Sequence, residues 1–226
     1  METKQVFDAV ANKYDLMNDI MSLGTHRYWK ECLIDWLKPY PGMNIIDVAG
    51  GTGDISRRFL KRVSGNGKAT ICDPNASMLK NGSKNVDKYE DSIIRTCAFA
   101  EELPFENGSF DTYIVSFGIR NFTDIQKGLE EAMRVLKPGG RFMCLEFSKL
   151  ENSKLAKLYE TYSMVIPKIG KLVVGDEEPY KYLVDTIEKF PSQEKFSTMI
   201  RDAGFEKVEY RNIFNGVVAI HSGWKS

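Results

Sequence analysis

The chain has 226 residues, with 31 basic and 31 acidic side chains and so no formal net charge. A chain of this length forms one domain, or one with an elaboration, and buries a core without disulfide staples. Its 42% hydrophobic and 27% charged content excludes a disordered protein, and the balanced charge argues against nucleic acid as a partner, because a grip on phosphates needs surplus positive charge. Residues 2–12 and 26–37 read as helices. Residues 44–49 read as a strand, 53–63 as a helix, and 64–67 as a turn. Strand 69–72 and helix 76–85 follow, then strands 93–99 and 110–117. A helix over 123–136 ends at Lys137-Pro138-Gly139-Gly140, before a strand over 141–147. Residues 152–174 read as a long helix or helical pair, and 193–203 as a helix. Strands 207–212 and 217–221, joined at Phe214-Asn215-Gly216, close the chain. Short strands alternating with helices predict an α/β protein: a mostly parallel sheet with helices on both faces. The closing hairpin must be antiparallel, since so short a turn cannot join parallel strands.

Cys32, Cys72, Cys97 and Cys144 lie far apart. Three fall in strand-like runs, where cysteine reads as a small core residue in a reducing compartment. His26 and His221 cannot build the usual zinc patterns, so no metal is expected. No apolar run approaches the ~20 residues that span a bilayer. The N-terminus carries no signal or transit pattern, which predicts a cytoplasmic protein.

The sharpest motif is Ile45-Ile46-Asp47-Val48-Ala49-Gly50-Gly51-Thr52-Gly53-Asp54, between a strand and a helix. Glycines there let a ligand approach the backbone, and the helix start presents free N–H groups. Asp73 ends the next strand, at the spacing of a carboxylate that binds ribose hydroxyls. A dinucleotide site would need G-x-G-x-x-G, which Ala-Gly-Gly-Thr-Gly fits poorly. A tight turn with a capping Asp is the simpler reading. With Asp73, the segment Phe99-Ala100-Glu101-Glu102-Leu103-Pro104-Phe105, Ser109-Phe110-Asp111 and Arg134-Val135-Leu136-Lys137-Pro138-Gly139-Gly140, the motif resembles the class I S-adenosylmethionine-dependent methyltransferases. Ala49 replaces the first glycine of that family's loop. Phe99 stands where the family often has Asp or Asn, so adenine would be met by stacking and by backbone near Ala100. A buried strand-end aromatic is the alternative for Phe99.

Three longer stretches narrow the resemblance. Val6-Phe7-Asp8 to Trp29-Lys30 is one, and it contains Tyr14-Asp15-Leu16-Met17-Asn18-Asp19 and Ser22-Leu23-Gly24-Thr25-His26-Arg27. The second is Ser116-Phe117-Gly118-Ile119-Arg120-Asn121-Phe122-Thr123-Asp124. The third comprises Phe190-Pro191-Ser192-Gln193 and the run from Asn215 to Gly223. Together they resemble the ubiquinone/menaquinone biosynthesis C-methyltransferase family, the UbiE type. The resemblance implies a Rossmann-like class I methyltransferase sheet with N-terminal and mid-chain helical caps, in one domain. Residues 1–40 would form the cap, 41–150 the S-adenosylmethionine-binding core, 151–190 a helical lid, and 191–226 the closing helix and hairpin.

The implied reaction is C-methylation of 2-methoxy-6-polyprenyl-1,4-benzoquinol, demethylmenaquinol, or both. The implied cofactor is S-adenosylmethionine, held by Asp47, Gly51, Thr52, Gly53, Asp73, Phe99, Ala100 and Ser116. Arg120 would stabilise a phenolate or polarise a water. Asn121 would orient the same group, and Tyr14 would hydrogen-bond the ring. Asp15, Asp19 and His26 are runners-up. A salt bridge for Arg120, a helix cap for Asn121 and simple packing for Tyr14 are the alternatives. Leu155, Leu158, Tyr159, Tyr162, Val165, Ile166, Ile169, Leu172 and Val173 recur at helical spacing, as a core face or a path for a prenyl tail. The implied partners are a polyprenylated quinol, the inner-membrane surface, a quinone-biosynthesis complex and a second copy of the chain; a processed mitochondrial matrix protein would read the same. The rival readings are a non-catalytic S-adenosylmethionine-binding scaffold and a methyltransferase for another small aromatic or lipid. Intact Asp47, Gly51, Gly53 and Asp73 argue against the first.

Overall fold

A computed structural model describes residue 22 and residues 24–84, 89–150 and 178–226. The elements read over 2–12 and 152–174, and Tyr14, Asp15 and Asp19, lie outside the described residues. The described elements run α1 (His26–Leu37), β1 (Met43–Val48), α2 (Asp54–Arg62), β2 (Gly67–Cys72), α3 (Ala76–Lys84), β3 (Ile93–Thr96), β4 (Phe110–Ser116) and α4 (Ile125–Val135). They continue as β5 (Leu136–Phe147), α5 (Glu178–Lys189), α6 (Gln193–Asp202), β6 (Glu206–Ile213) and β7 (Val218–Trp224). Seven strands form one sheet in the order β3-β2-β1-β4-β5-β7-β6. β1 to β5 pair in parallel, while β7 is antiparallel to both β5 and β6.

The central strands are largely apolar because both sheet faces are covered. Side chains alternate between two cores. Ile45, Ile114, Met143, Leu145 and Ile220 face Trp29, Leu33, Phe59 and Leu60. Ile46, Val48, Tyr113, Val115, Phe142 and Cys144 face Leu129, Phe196 and Ile200. Strand order reverses at β1, whose neighbours are β2 and β4, so a crevice opens beyond their carboxyl ends.

Three boundaries differ from the sequence reading in ways that bear on the site. β3 stops at Thr96 rather than Phe99, because Thr96 pairs with Cys72, the last residue of β2. Cys97 is therefore exposed while Cys72 and Cys144 are buried; all four cysteines are free. Residues 137–140 do not precede β5 but bulge within it: Phe110 pairs with Leu136, and Thr112 with Arg141. α4 starts at Ile125 because Asp124 caps it, accepting from Lys127 N at 3.0 Å. Asn121 is thus not that cap. His221 is buried beside Gln193 O at 3.1 Å, and burial lowers its pKa to about 4. No helix among the described residues is long and apolar enough to cross a membrane.

Candidate active site

After β1 the chain turns through residues 49–53 into α2. Asp47 is buried beneath this turn. Its Oδ2 accepts from Ser56 Oγ at 2.8 Å and Ser56 N at 3.1 Å, which fastens the strand to the first turn of α2. Its Oδ1 has no hydrogen-bond partner among the described residues. Burial raises the Asp47 pKa to about 6, against the pull of the two Ser56 bonds. A Cβ on Gly50 would stand 2.7 Å from Asp47 O, so only glycine passes there. Ala49 takes a left-handed φ of 51°. Its methyl faces Gly118, where a Cβ would come within 2.4 Å of it.

Asp73 follows β2. Its Oδ2 accepts from Gly51 N at 2.9 Å and its Oδ1 from Asn75 N at 2.8 Å. Burial raises its pKa, and these two bonds partly offset the rise. Asn75 Oδ1 accepts from Ser77 N and Met78 N at 2.9 and 3.0 Å, and so starts α3. Above these groups lies an open cleft, walled in part by Gly51, Asp73, Met78, Phe99, Ala100 and Asn121. Phe99 is 64% exposed; with β3 ended at Thr96, it forms a cleft wall and not a buried strand end. Across the loop is a smaller recess walled by Lys30, Asp47, Thr52, Asp54, Ser116 and Phe117. Ser116 Oγ is buried there without a partner among the described residues. Two orphan acceptors on one side of a bare loop, and a carboxylate with flat apolar walls on the other, fit an amino acid joined to a nucleoside. No three His, Cys, Asp or Glu side chains among the described residues are grouped to hold a metal ion.

The next segment is strained. Phe117 takes φ 56°, and the one-turn helix Ile119–Asn121 follows Gly118. Arg120 Nη1 donates to Glu146 Oε1 and Phe117 O, both at 2.7 Å. The two charged side chains are only 5% and 2% exposed. Glu146 also accepts from Phe147 N at 2.9 Å. Burial raises the Glu146 pKa, with Arg120 opposing. Arg120 Nε is buried without a partner among the described residues. Arg120 thus sits behind the cleft wall while Asn121 is part of it. Asn121 Oδ1 accepts from Tyr182 OH at 3.0 Å, across from α5.

The structure therefore gathers Asp47, Thr52 and Ser116 in the recess, and Gly51, Asp73, Phe99, Ala100 and Asn121 around the cleft. Gly53 begins α2 at φ 83°. His26 is buried at the start of α1, its N donating to Ser22 Oγ at 3.2 Å. Sequence reasoning missed Glu146, Tyr182 and Lys30. Glu146 was signalled by a carboxylate inside the apolar strand Cys144-Leu145-Glu146-Phe147. Lys30 was signalled by its place among Trp29, Leu33 and Ile34 on the buried face of α1. Nothing local marks Tyr182.

A family model described as the ubiE/COQ5 methyltransferase family matches residues 1–225. The chain is 52% identical over 223 residues to the ubiquinone/menaquinone biosynthesis C-methyltransferase UbiE of Ruegeria sp. (strain TM1040), covering 97% of this chain and 89% of that protein. It is 46% identical over 257 residues to the mitochondrial 2-methoxy-6-polyprenyl-1,4-benzoquinol methylase of Bos taurus, covering 98% and 78%. In fold it is similar to a solved S-adenosylmethionine-dependent methyltransferase from Thermotoga maritima, with a TM-score of 0.69 over 99% of each chain at 20% identity. With the glycine loop, the buried Asp73 carboxylate and the sheet order in place, the chain is an S-adenosylmethionine-dependent methyltransferase and belongs to the ubiE/COQ5 methyltransferase family.

Proposed function

We propose that the protein methylates a ring carbon of 2-methoxy-6-polyprenyl-1,4-benzoquinol, of demethylmenaquinol, or of both. The observation that carries the reading is one cleft that joins the Asp73–Gly51 pair to Asn121, with Arg120 directly behind it. When bound, S-adenosylmethionine supplies a methyl group on a cationic sulfur. Asp73 accepts from the ribose hydroxyls, and Phe99 and Ala100 flank the adenine. Gly51, Thr52 and Gly53 wrap the amino-acid portion, whose ammonium meets Asp47 and Ser116.

A quinol ring carbon is a weak nucleophile until a ring hydroxyl loses its proton, and a free phenol has a pKa near ~10. Positive charge beside the oxygen favours the phenolate and the transition state that follows. Arg120 supplies that charge through the part of its guanidinium that Glu146 does not take up, Nε having no partner among the described residues. A guanidinium keeps its proton at working pH, so Arg120 holds the phenolate or polarises a water and is not itself the base. Tyr182 OH on Oδ1 leaves the Asn121 amide N–H groups to orient the quinol oxygen. Tyr14, from the N-terminal cap, hydrogen-bonds the ring. Alignment of the carbon with the methyl can supply on the order of 7–11 kcal/mol at best.

A polyprenyl tail belongs in a bilayer, at about 0.8 kcal/mol per buried methylene. The reading therefore includes contact with the inner-membrane surface, under a helical lid over 151–190. A quinone-biosynthesis complex, a homodimer, a cytoplasmic setting and the division into cap, core, lid and closing hairpin belong to the same proposal. Incubation with a short-tailed demethylated quinol and S-adenosylmethionine, read by mass spectrometry, should add one methyl on a ring carbon. Arg120→Ala, assayed at a temperature where the variant is folded because Glu146 loses its buried partner, should lower kcat while S-adenosylmethionine still binds. Methyl found on oxygen, or none on a quinol presented with bound S-adenosylmethionine, would overturn the proposal.

A further inference from the structure

The recess beside the glycine loop holds two charged groups with no part in the roles above, Lys30 and Asp54. Lys30, on α1, is 6% exposed and forms one wall. Its Nζ lies 2.9 Å from Asp54 Oδ2, at the first residue of α2. Asp54 also accepts from Arg58 Nε at 3.0 Å through its other oxygen. Burial raises the Asp54 carboxyl, but Lys30 and Arg58 outweigh it and hold its pKa below the usual carboxylate range. Arg58 has a second carboxylate in Glu31, whereas Asp54 is the one ion-pair partner of Lys30 among the described residues, and an ammonium carries more donors than one carboxylate oxygen takes up.

Asp47 and Ser116 line the same recess, and neither Asp47 Oδ1 nor Ser116 Oγ has a partner among the described residues. A cation with donors to spare and unpartnered acceptors in one recess form the complement of a zwitterion. The Lys30 ammonium keeps donors beyond the one that Asp54 takes up, and an arriving carboxylate would satisfy them. The first turn of α2 adds its own preference for negative charge.

We infer that Lys30 binds the α-carboxylate of the amino-acid portion of S-adenosylmethionine, whose ammonium meets the acceptors in the same recess, and that Asp54 positions Lys30 for this. The inference rests on the methyltransferase reading and adds a residue from outside the strand–loop–helix motif. It also gives α1 a function: the helix closes the amino-acid end of the site as well as covering the sheet.

The test uses three ligands in calorimetric titration against the full chain. S-adenosylmethionine carries both charges, decarboxylated S-adenosylmethionine lacks only the carboxylate, and 5′-methylthioadenosine lacks the amino acid. Wild-type protein should bind the decarboxylated form about 10–100-fold more weakly than S-adenosylmethionine, the range of a charge-assisted bond. Lys30→Met should collapse that ratio toward one and leave 5′-methylthioadenosine affinity unchanged. Lys30→Gln, which keeps a hydrogen bond to Asp54, should give the same collapse and serves if the methionine variant does not fold. A ratio that persists in both variants overturns the inference. So does an equal weakening of all three ligands, which would make Lys30 a strut between α1 and α2. Failure of wild-type protein to bind S-adenosylmethionine would instead overturn the methyltransferase reading itself.

Discussion

The two ends of the cleft are built in different ways. At the cofactor end, carboxylates hold backbone amides: Asp47 takes Ser56 N, nine residues on, and Asp73 takes Gly51 N, 22 residues back. Backbone N–H groups and bare glycines do most of the work there. At the acceptor end, side chain meets side chain. Arg120 pairs with Glu146 on β5, and Asn121 with Tyr182 on α5. A site held by backbone survives many changes around it. A site held by a buried ion pair depends on both partners at once. The cofactor end is therefore the durable half and the acceptor end the specific and fragile half.

Breaking the ion pair should have the largest effect. Glu146→Ala leaves the Arg120 cation buried and uncompensated, which should cost about 3–5 kcal/mol of stability. Denaturant unfolding checks this; a loss of ~1 kcal/mol or less would mean that the pair behaves as a solvated surface bridge. The hinge between the two ends should come next. Gly118→Ala puts a Cβ within 2.4 Å of the Ala49 methyl, and overpacking of this kind costs about 1–3 kcal/mol. Ala49→Gly removes the opposing methyl and should restore most of that loss. If the double variant is no more stable than Gly118→Ala alone, the clash is not the cause.

The same contrast explains what the sequence revealed. The parallel sheet, the closing hairpin and the glycine loop were legible, because periodicity and turn chemistry are local. So was Asp73, whose place follows from one strand end. Phe99 was ambiguous, since its environment depends on where β3 loses its partner. Arg120 was legible as a residue but its inward turn onto Glu146 was not. That pairing depends on the register of β4 against β5, which the bulge at residues 137–140 resets. Lys30 could have been found from its buried helical face, whereas Tyr182 lies 61 residues from Asn121 with no local mark.

A change at the cofactor end should weaken binding more than folding. Asp73→Ala should weaken S-adenosylmethionine about 10–100-fold, the range for a hydrogen-bonded charged group. The two backbone bonds that it also removes, from Gly51 and Asn75, should cost roughly 1–3 kcal/mol of stability. Calorimetry at a temperature where the variant is folded separates the two effects. Unchanged affinity would remove Asp73 from the ribose and shift the weight of the site toward the loop.

The smallest effect should be on the pH dependence of binding, and it too divides the cleft. Asp47 titrates near 6 when folded, above its unfolded value of 3.8. A carboxyl raised in this way favours the folded state at low pH, and that contribution is lost as pH climbs from about 4 to 6. His221 acts in the opposite direction, since its lowered pKa withdraws stability as pH falls from about 6.5 to 4. Global stability therefore mixes two opposing slopes. Ligand binding separates them, because His221 walls neither the cleft nor the recess. An ammonium beside Asp47 favours its ionised form, so binding should release protons and tighten as pH rises from 5 to 7. Titrating one carboxyl near 6 across that interval gives up to roughly tenfold. Asp47→Asn should flatten the profile with 5′-methylthioadenosine affinity unchanged. If the slope persists in that variant, the proton comes from Asp73, whose pKa burial also raises, and the pH response belongs to the ribose side of the site.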